Sequence, residues 1–369
     1  MNQLFRWDQM GLFLLALAAG ILPFAVPEVC AAALREGLTL CSGPLLLSLF
    51  PFLVVSRLLI QCPESDLLAL PFRLAAWGIG IRTPCAARVL CIGFLGGFAP
   101  AASAAAQAVR TGQLTVEEAD ALLPACICSG PSFVVLTVGQ SLLGSAELGV
   151  LLFASQITAN YLTAALLNRF AGVRSVKPGS AAPASPAPLR LDEILADAAI
   201  TYCKLCGFIL FFRMLAAGAG ALLPAGAGTL CSILLEVCSG CDLASRTGRW
   251  GSLLCCAALS VQGLSVLLQV RTICPPEMTL RPLYRARMLH LPLSLALFYL
   301  LLPGGEADVF STLPARVLLM RRVPPDCALL VFAVCCMAAC TLRNGIRQVE
   351  QKQMARNAGG CCINSKTLL

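Results

Sequence analysis

The sequence predicts an all-α, multi-pass helical membrane protein of about 8–10 spans, in two repeat-like halves with broken or re-entrant helices. Three observations carry that expectation. Of 369 residues, 58% are hydrophobic and only 12% charged, where a soluble domain carries about 25% charged. Apolar runs recur at the ~20 residues that a helix needs to cross a bilayer. Gly- and Pro-bearing interruptions fall inside several of those runs rather than between them.

Taken in order, spans are expected at about 11–27, 43–60, 88–107, 121–143, 147–168, 203–223, 250–270, 286–303 and 324–342. Arg6 before the apolar run at 11–26 has the look of a signal peptide. The membrane segments that follow favour an uncleaved first span. The pieces at 71–82 and 226–240 are too short to cross and read as re-entrant or broken helices. "TGQLTVEEADALL" carries a capping box: Thr115 caps a helix start, with Glu118 as its partner three residues on.

The stretch 171–190, "AGVRSVKPGSAAPASPAPLR", is rich in Pro, Ala and Ser and reads as a linker. It divides the chain into a membrane half at 1–170 and another at 191–342, followed by a basic tail at 343–369. Arg169, Arg174, Lys177 and Arg190 around the linker, and Arg343, Arg347, Lys352, Arg356 and Lys366 in the tail, place both in the cytoplasm. An even number of crossings must then separate them, which holds if 226–240 is re-entrant. The halves share features. Acidic pieces open them ("PEVCAAALREGL", "LDEILADAAITYC"), arginines sit in apolar settings (Arg57, Arg213), and Cys-Ser-Gly turns follow ("CICSGP", "EVCSGC").

The formal charge of +8 is scattered between apolar runs, which excludes a nucleic-acid surface and fits loop charges that set orientation. Most of the 21 cysteines lie within apolar segments and read as small packing residues. Cys203-x-x-Cys206 and Cys238-x-x-Cys241 have zinc-like spacing, but the one histidine, His290, is distant in sequence from both. No paired-His metal site, Walker loop or G-x-S-x-G element appears, so neither an enzyme nor a cofactor is expected.

Function is expected where polar groups interrupt the apolar runs. In "SVQGLSVLLQV", Gln262, Ser265 and Gln269 fall at i, i+3 and i+7, one face of a helix. In hydrocarbon each must find a partner, so the row is either interhelical glue or the lining of a wet cavity. The adjacent Gly263, which permits close backbone approach, favours the cavity. A second stripe, Gln156, Asn160 and Thr163, reads as packing glue. Helix breaks are expected at Ser129-Gly130-Pro131 and at "GFLGGFAPAAS", with Gly96, Gly97 and Pro100, because such residues remove donors and loosen the backbone. Broken helices expose N–H and C=O groups that can bind a substrate or ion. Glu236 in "LLEVCSG" is a carboxylate within an apolar segment, and such residues are paired, protonated or functional. Arg213 is its candidate partner, or else meets an anionic substrate; Arg57, near a span end, is expected to snorkel to the interface.

"PLLLSLFPFLVVSRLL", "GFLGGFAPAASAAAQAVRTGQLTVEEADALLPACICSGPSFVVLTVG", "LLEVCSG" and "SVQGLSVLLQV" together resemble, in their order, the YlbJ-like sporulation integral membrane proteins, which group with the nucleoside-recognition, or gate-domain, membrane proteins. The similarity covers roughly residues 10–305. It implies a multi-pass protein of an endospore former that moves dipicolinic acid from mother cell to forespore, in the cell membrane or outer forespore membrane. It maps the family's motif elements onto Gly97 to Ala102 with Pro100, onto Gly130-Pro131, onto Glu236 to Gly240 with Ser239, and onto Gln262 to Gln269. Ala101, Ser103, Cys128 and Gln262 depart from the family's usual residues, which bears on the substrate more than on the fold.

The resulting expectation is a carrier for a small anionic carboxylate. Its binding residues would be Gly97, Pro100, Ser129, Gly130, Pro131, Arg213, Glu236, Ser239, Gly240, Gln262, Gly263, Ser265 and Gln269. Glu236 would be the coupling or gating acid, through a proton or a cation. A nucleoside carrier and a non-transporting scaffold for spore-envelope assembly are the rival expectations. Only 7% of residues are aromatic, which counts against base stacking.

Overall fold

The structure, a computed structural model, describes residues 2–171 and 191–302. The expected linker, the expected span at 324–342 and the basic tail lie outside those residues. The described chain is all-helical, with no strand.

Helices α1 (Asn2–Ala25), α2 (Pro27–Ser42) and α3 (Pro44–Gln61) follow one another with minimal loops, because Pro27 and Pro44 stand at the first helical positions, where a missing N–H costs nothing. The short α4 (Leu70–Gly78) leads into α5 (Pro84–Gly96) and α6 (Phe98–Arg110). Then come α7 (Val116–Cys126), a π-helix (Ser132–Leu142) and α8 (Ala146–Ala171). After residue 190 lie α9 (Leu191–Leu222), α10 (Ala225–Leu235), α11 (Val237–Ser245), α12 (Gly251–Val261), α13 (Gly263–Ile273) and α14 (Arg281–Leu301).

Three of these stretches are long and apolar enough to cross a membrane: Ala146–Ala171, Leu191–Leu222 and Gly248–Ile273. A fourth candidate is Phe13–Ala25 with Pro27–Ser42, bent by 110°. Over an apolar core, many large apolar side chains face outward, and several polar ones are buried. Phe24, Leu74, Phe170, Met288 and Leu300 are all more than 70% exposed, while Gln156, Asn160, Gln262, Gln269 and Arg287 are buried.

The second half packs back on the first through α9. Glu36 pairs with Arg213, Gly37 lies against Leu210, and the Tyr202 hydroxyl donates to the Cys41 carbonyl, so α2 runs antiparallel to α9. The expected capping box is formed: Thr115 Oγ1 accepts from the Glu118 amide at 3.1 Å, and the Thr115 amide donates to Glu118 at 3.2 Å. Helix α14 and the residues just before it hold α7 at two points, near its middle and just past its C-terminus. Asp120 accepts from the Thr279 amide and hydroxyl and from the amide of Leu280, a left-handed residue that opens α14. At the second point the Arg287 guanidinium donates to the Ile127 carbonyl.

Candidate functional site

Four helix interruptions define the middle of the molecule. Gly97, at φ 81° and ψ −163°, separates α5 from α6. Residues 127–130 separate α7 from the π-helix. Glu236, extended at φ −151° and ψ 126°, separates α10 from α11. Gln262 and Gly263, at φ 63° and 70°, separate α12 from α13.

The interruptions meet in two pairs. A Cβ on Gly97 would sit 2.7 Å from the Gly130 nitrogen and 3.2 Å from the Cys128 oxygen. One on Gly263 would sit 2.9 Å from the Glu236 nitrogen and from the Leu235 carbonyl. Within each half, then, one broken backbone rests directly on the other, and only glycine leaves room.

The interruption at Glu236 is capped by its own side chain. One carboxylate oxygen accepts from the Cys238 amide at 2.8 Å and the other from the Ser239 amide at 2.7 Å. A buried anion is thereby satisfied at the positive end of α11. Neither oxygen contacts Arg213, whose ion-pair partner is Glu36 at 2.8 Å. The expected Arg213–Glu236 pair is therefore corrected: the antiparallel register of α2 on α9 delivers a different acid.

Two further expectations change. Gln262, Ser265 and Gln269 do not share one helical face, because Gln262 stands in a left-handed conformation outside both helices. Gln269 Nε2 does donate to Ser265 Oγ at 2.9 Å, one turn back in α13. The side-chain oxygens of Gln262 and Gln269 are buried without a partner. Arg57 does not snorkel. It is 9% exposed and ion-paired with Asp197 of α9.

Arg57 belongs to a cavity of about 170 Å³ between α3, α6, α9 and α13. Its charged lining is Arg57, Arg110, Lys204 and Asp197. Ser103 and Gln269 are its buried polar residues, while Arg110, Lys204 and Thr272 are exposed at its rim. Along α9 the lining positions 197, 200, 201, 204, 205 and 208 form a single helical face. Arg110 and Lys204 pair with no carboxylate among the described residues. The cavity is thus a basic recess.

Of the expected binding residues, only Gln269 lines this cavity. Ser265 touches Gln269, whereas Gly97, Gly130, Glu236 and Gly263 lie in the two backbone contacts and Ser239 in the Glu236 cap. Pro100 sits in the first turn of α6, Pro131 begins the π-helix, and a Cβ on Gly240 would lie 2.8 Å from Ile233 Cα. Arg213 lies roughly 24 Å further along α9 than Asp197 at 1.5 Å per residue. Sequence reasoning missed Arg110, Lys204 and Asp197 because each reads as an ordinary charge near a helix end.

Two members of the second stripe hold helices together, while the Thr163 hydroxyl is buried without a partner. Gln156 donates to Ser260 Oγ at 2.9 Å and to the Cys256 carbonyl at 3.2 Å, and Asn160 donates to the Ile127 carbonyl at 3.2 Å. Arg287 joins this network through Ile127 and Ser260, the terminal carbonyls of α7 and α12, with no carboxylate partner among the described residues. The described cysteines are free, and no group of three or more His, Cys, Asp or Glu side chains converges among the described residues.

The chain matches no family model, no curated protein and no solved structure. What the cavity does is therefore argued from its chemistry.

Proposed function

We propose that the protein is an integral, multi-pass membrane carrier of a small anionic carboxylate, built from two repeat-like halves. The observation that carries this reading is the basic cavity between α3, α6, α9 and α13, with three cations against one acid and Gln269 among its lining residues. Support for the membrane comes from the bilayer-length apolar helices and from the large apolar side chains that face outward. Support for the repeat comes from the two backbone contacts, one in each half, each joining two broken helices. Carriers place substrates where discontinuous helices from two repeats meet. Here α6 and α13, the segments that follow Gly97 and Gly263, supply Ser103 and Gln269 to one cavity.

The volume, about 170 Å³, is below the ~300–1,000 Å³ of pockets that take drug-sized ligands, so the cavity suits a small solute. Its charge suits an anion, and dipicolinate follows from the family resemblance. A neutral nucleoside gains nothing from three cations and finds one aromatic lining residue, Phe208. In the proposed orientation, with the linker cytoplasmic, the N-terminal part of α9 that lines the cavity lies toward the cytoplasm.

The test is uptake into proteoliposomes. Labelled dipicolinate should accumulate saturably and uridine should not, and Gln269→Ala and Glu236→Gln should each abolish uptake while the protein remains in the membrane. Uptake no greater than in empty vesicles, or normal uptake in both variants, would overturn the proposal.

A further inference from the structure

Arg57 is the one buried cation of the cavity, with a side chain only 10% exposed. Its partner Asp197 is 58% exposed, so the carboxylate reaches inward from the rim. The contact is single: Arg57 Nη1 meets one Asp197 oxygen, Nη2 reaches Thr201 Oγ1 at 3.5 Å, and Nε has no partner. A guanidinium binds a carboxylate best through two parallel N–H···O bonds, and Asp197 supplies one. Asp197 also keeps its solvation on release, because water already reaches its carboxylate. The remaining cations, Arg110 and Lys204, have no acid beside them among the described residues.

We infer that Asp197 is a tethered competitor for the cavity's ligand. Its carboxylate and the carboxylate of a small organic anion are alternative partners of Arg57, and a ligand that engages the guanidinium in two-point fashion displaces it. This rests on the anion-carrier reading and deepens it, because it assigns the ligand's carboxylate to Arg57 and makes Asp197 a determinant of affinity. A solute without a carboxylate, or one too large to bring it against α3, cannot make the exchange.

The experiment is calorimetric titration of dipicolinate into the purified full-length protein in detergent. Asp197→Asn should bind about tenfold more tightly than wild type, equivalent to ~1.4 kcal/mol. Asp197→Glu, which keeps a carboxylate, should stay within about threefold of wild type. In an Arg57→Gln background, binding should weaken by at least tenfold, and adding Asp197→Asn should bring no gain, since the competition has lost its object. Asp197→Ser serves as a second neutral variant should Asp197→Asn fail to fold. If wild type binds and neither neutral variant binds more tightly, the competitor falls while the carrier reading stands. If neither wild type nor the neutral variants bind dipicolinate while all melt cooperatively, the carrier reading falls and takes the competitor with it.

Discussion

Gly97→Ala should be among the most damaging single-methyl changes in the protein. Two costs act together. The backbone at φ 81° and ψ −163° lies in a region that glycine alone occupies freely, and holding another residue there costs ~1–3 kcal/mol. The added Cβ would stand 2.7 Å from the Gly130 nitrogen and 3.0 Å from its Cα, which are main-chain atoms that cannot rotate away. Overpacking of that kind costs a further ~1–3 kcal/mol. The sum, roughly 2–6 kcal/mol, is a large part of the ~5–15 kcal/mol that holds a typical domain folded. Two controls separate the terms. Gly112 has φ 68° and nothing within 4 Å of its would-be Cβ, so Gly112→Ala should show the conformational cost alone, ~1–2 kcal/mol. Gly207 lies within α9 with open space and ordinary helical geometry, so Gly207→Ala should be neutral or stabilising by up to ~1 kcal/mol. Equilibrium unfolding in mixed micelles, followed by tryptophan fluorescence, reads all three. If Gly97→Ala costs no more than Gly112→Ala, the backbone contact between the first two breaks is not as described.

Gly263→Ala, at φ 70° and 2.9 Å from the Glu236 nitrogen, should lose a similar ~2–5 kcal/mol in the same unfolding assay; a loss below ~1 kcal/mol would remove the second backbone contact. Arg287→Met should cost ~2–4 kcal/mol, since it strips charge-assisted bonds from the Ile127 and Ser260 carbonyls. Arg287→Lys should recover less than half of that, because an ammonium lacks the planar fork that spans two acceptors; full recovery would show that charge alone suffices there.

The parts of this architecture that were legible in the sequence are those set by local chemistry. Gly97 and the Ser129-Gly130-Pro131 turn announce breaks because glycine and proline act on their own backbone. The Thr115–Glu118 capping box needs only residues three apart. The break at Gln262 was hidden for the opposite reason. Its polar neighbours repeat at helical spacing, and a glutamine in left-handed geometry has no local cause; the contact of Gly263 with Leu235 and Glu236 imposes it. The ion pairs were hidden too. Arg57 and Asp197 stand 140 positions apart, and Arg213 and Glu36 stand 177 apart, so their choice of partner follows from how α9 packs against α2 and α3. Glu236 was conspicuous as a carboxylate in an apolar run. Its cap is made with its own next residues, yet glutamate is seldom an N-cap, and charge-pair reasoning pointed elsewhere.

The two kinds of feature meet in the cavity. Ser103 lies on α6 in the second turn after Gly97, and Gln269 lies on α13 in the second turn after Gly263, so each buried polar group hangs from a half-helix whose direction is set at a glycine. The direction is in turn set by main-chain contact with the other break of the same half, not by side chains that could repack. A change at either contact therefore moves one wall of the cavity as a unit, while α9 keeps its unbroken 32 residues and its hold on α2. Arg57 and Asp197 join that unbroken helix to α3, which carries no break of its own. The ligand's carboxylate would thus be gripped by the fixed wall and its remaining atoms judged by the two movable ones. For that reason a substitution at Gly97 should alter which small anions bind as well as how stably the protein folds, whereas one at Arg57 should weaken all carboxylates alike.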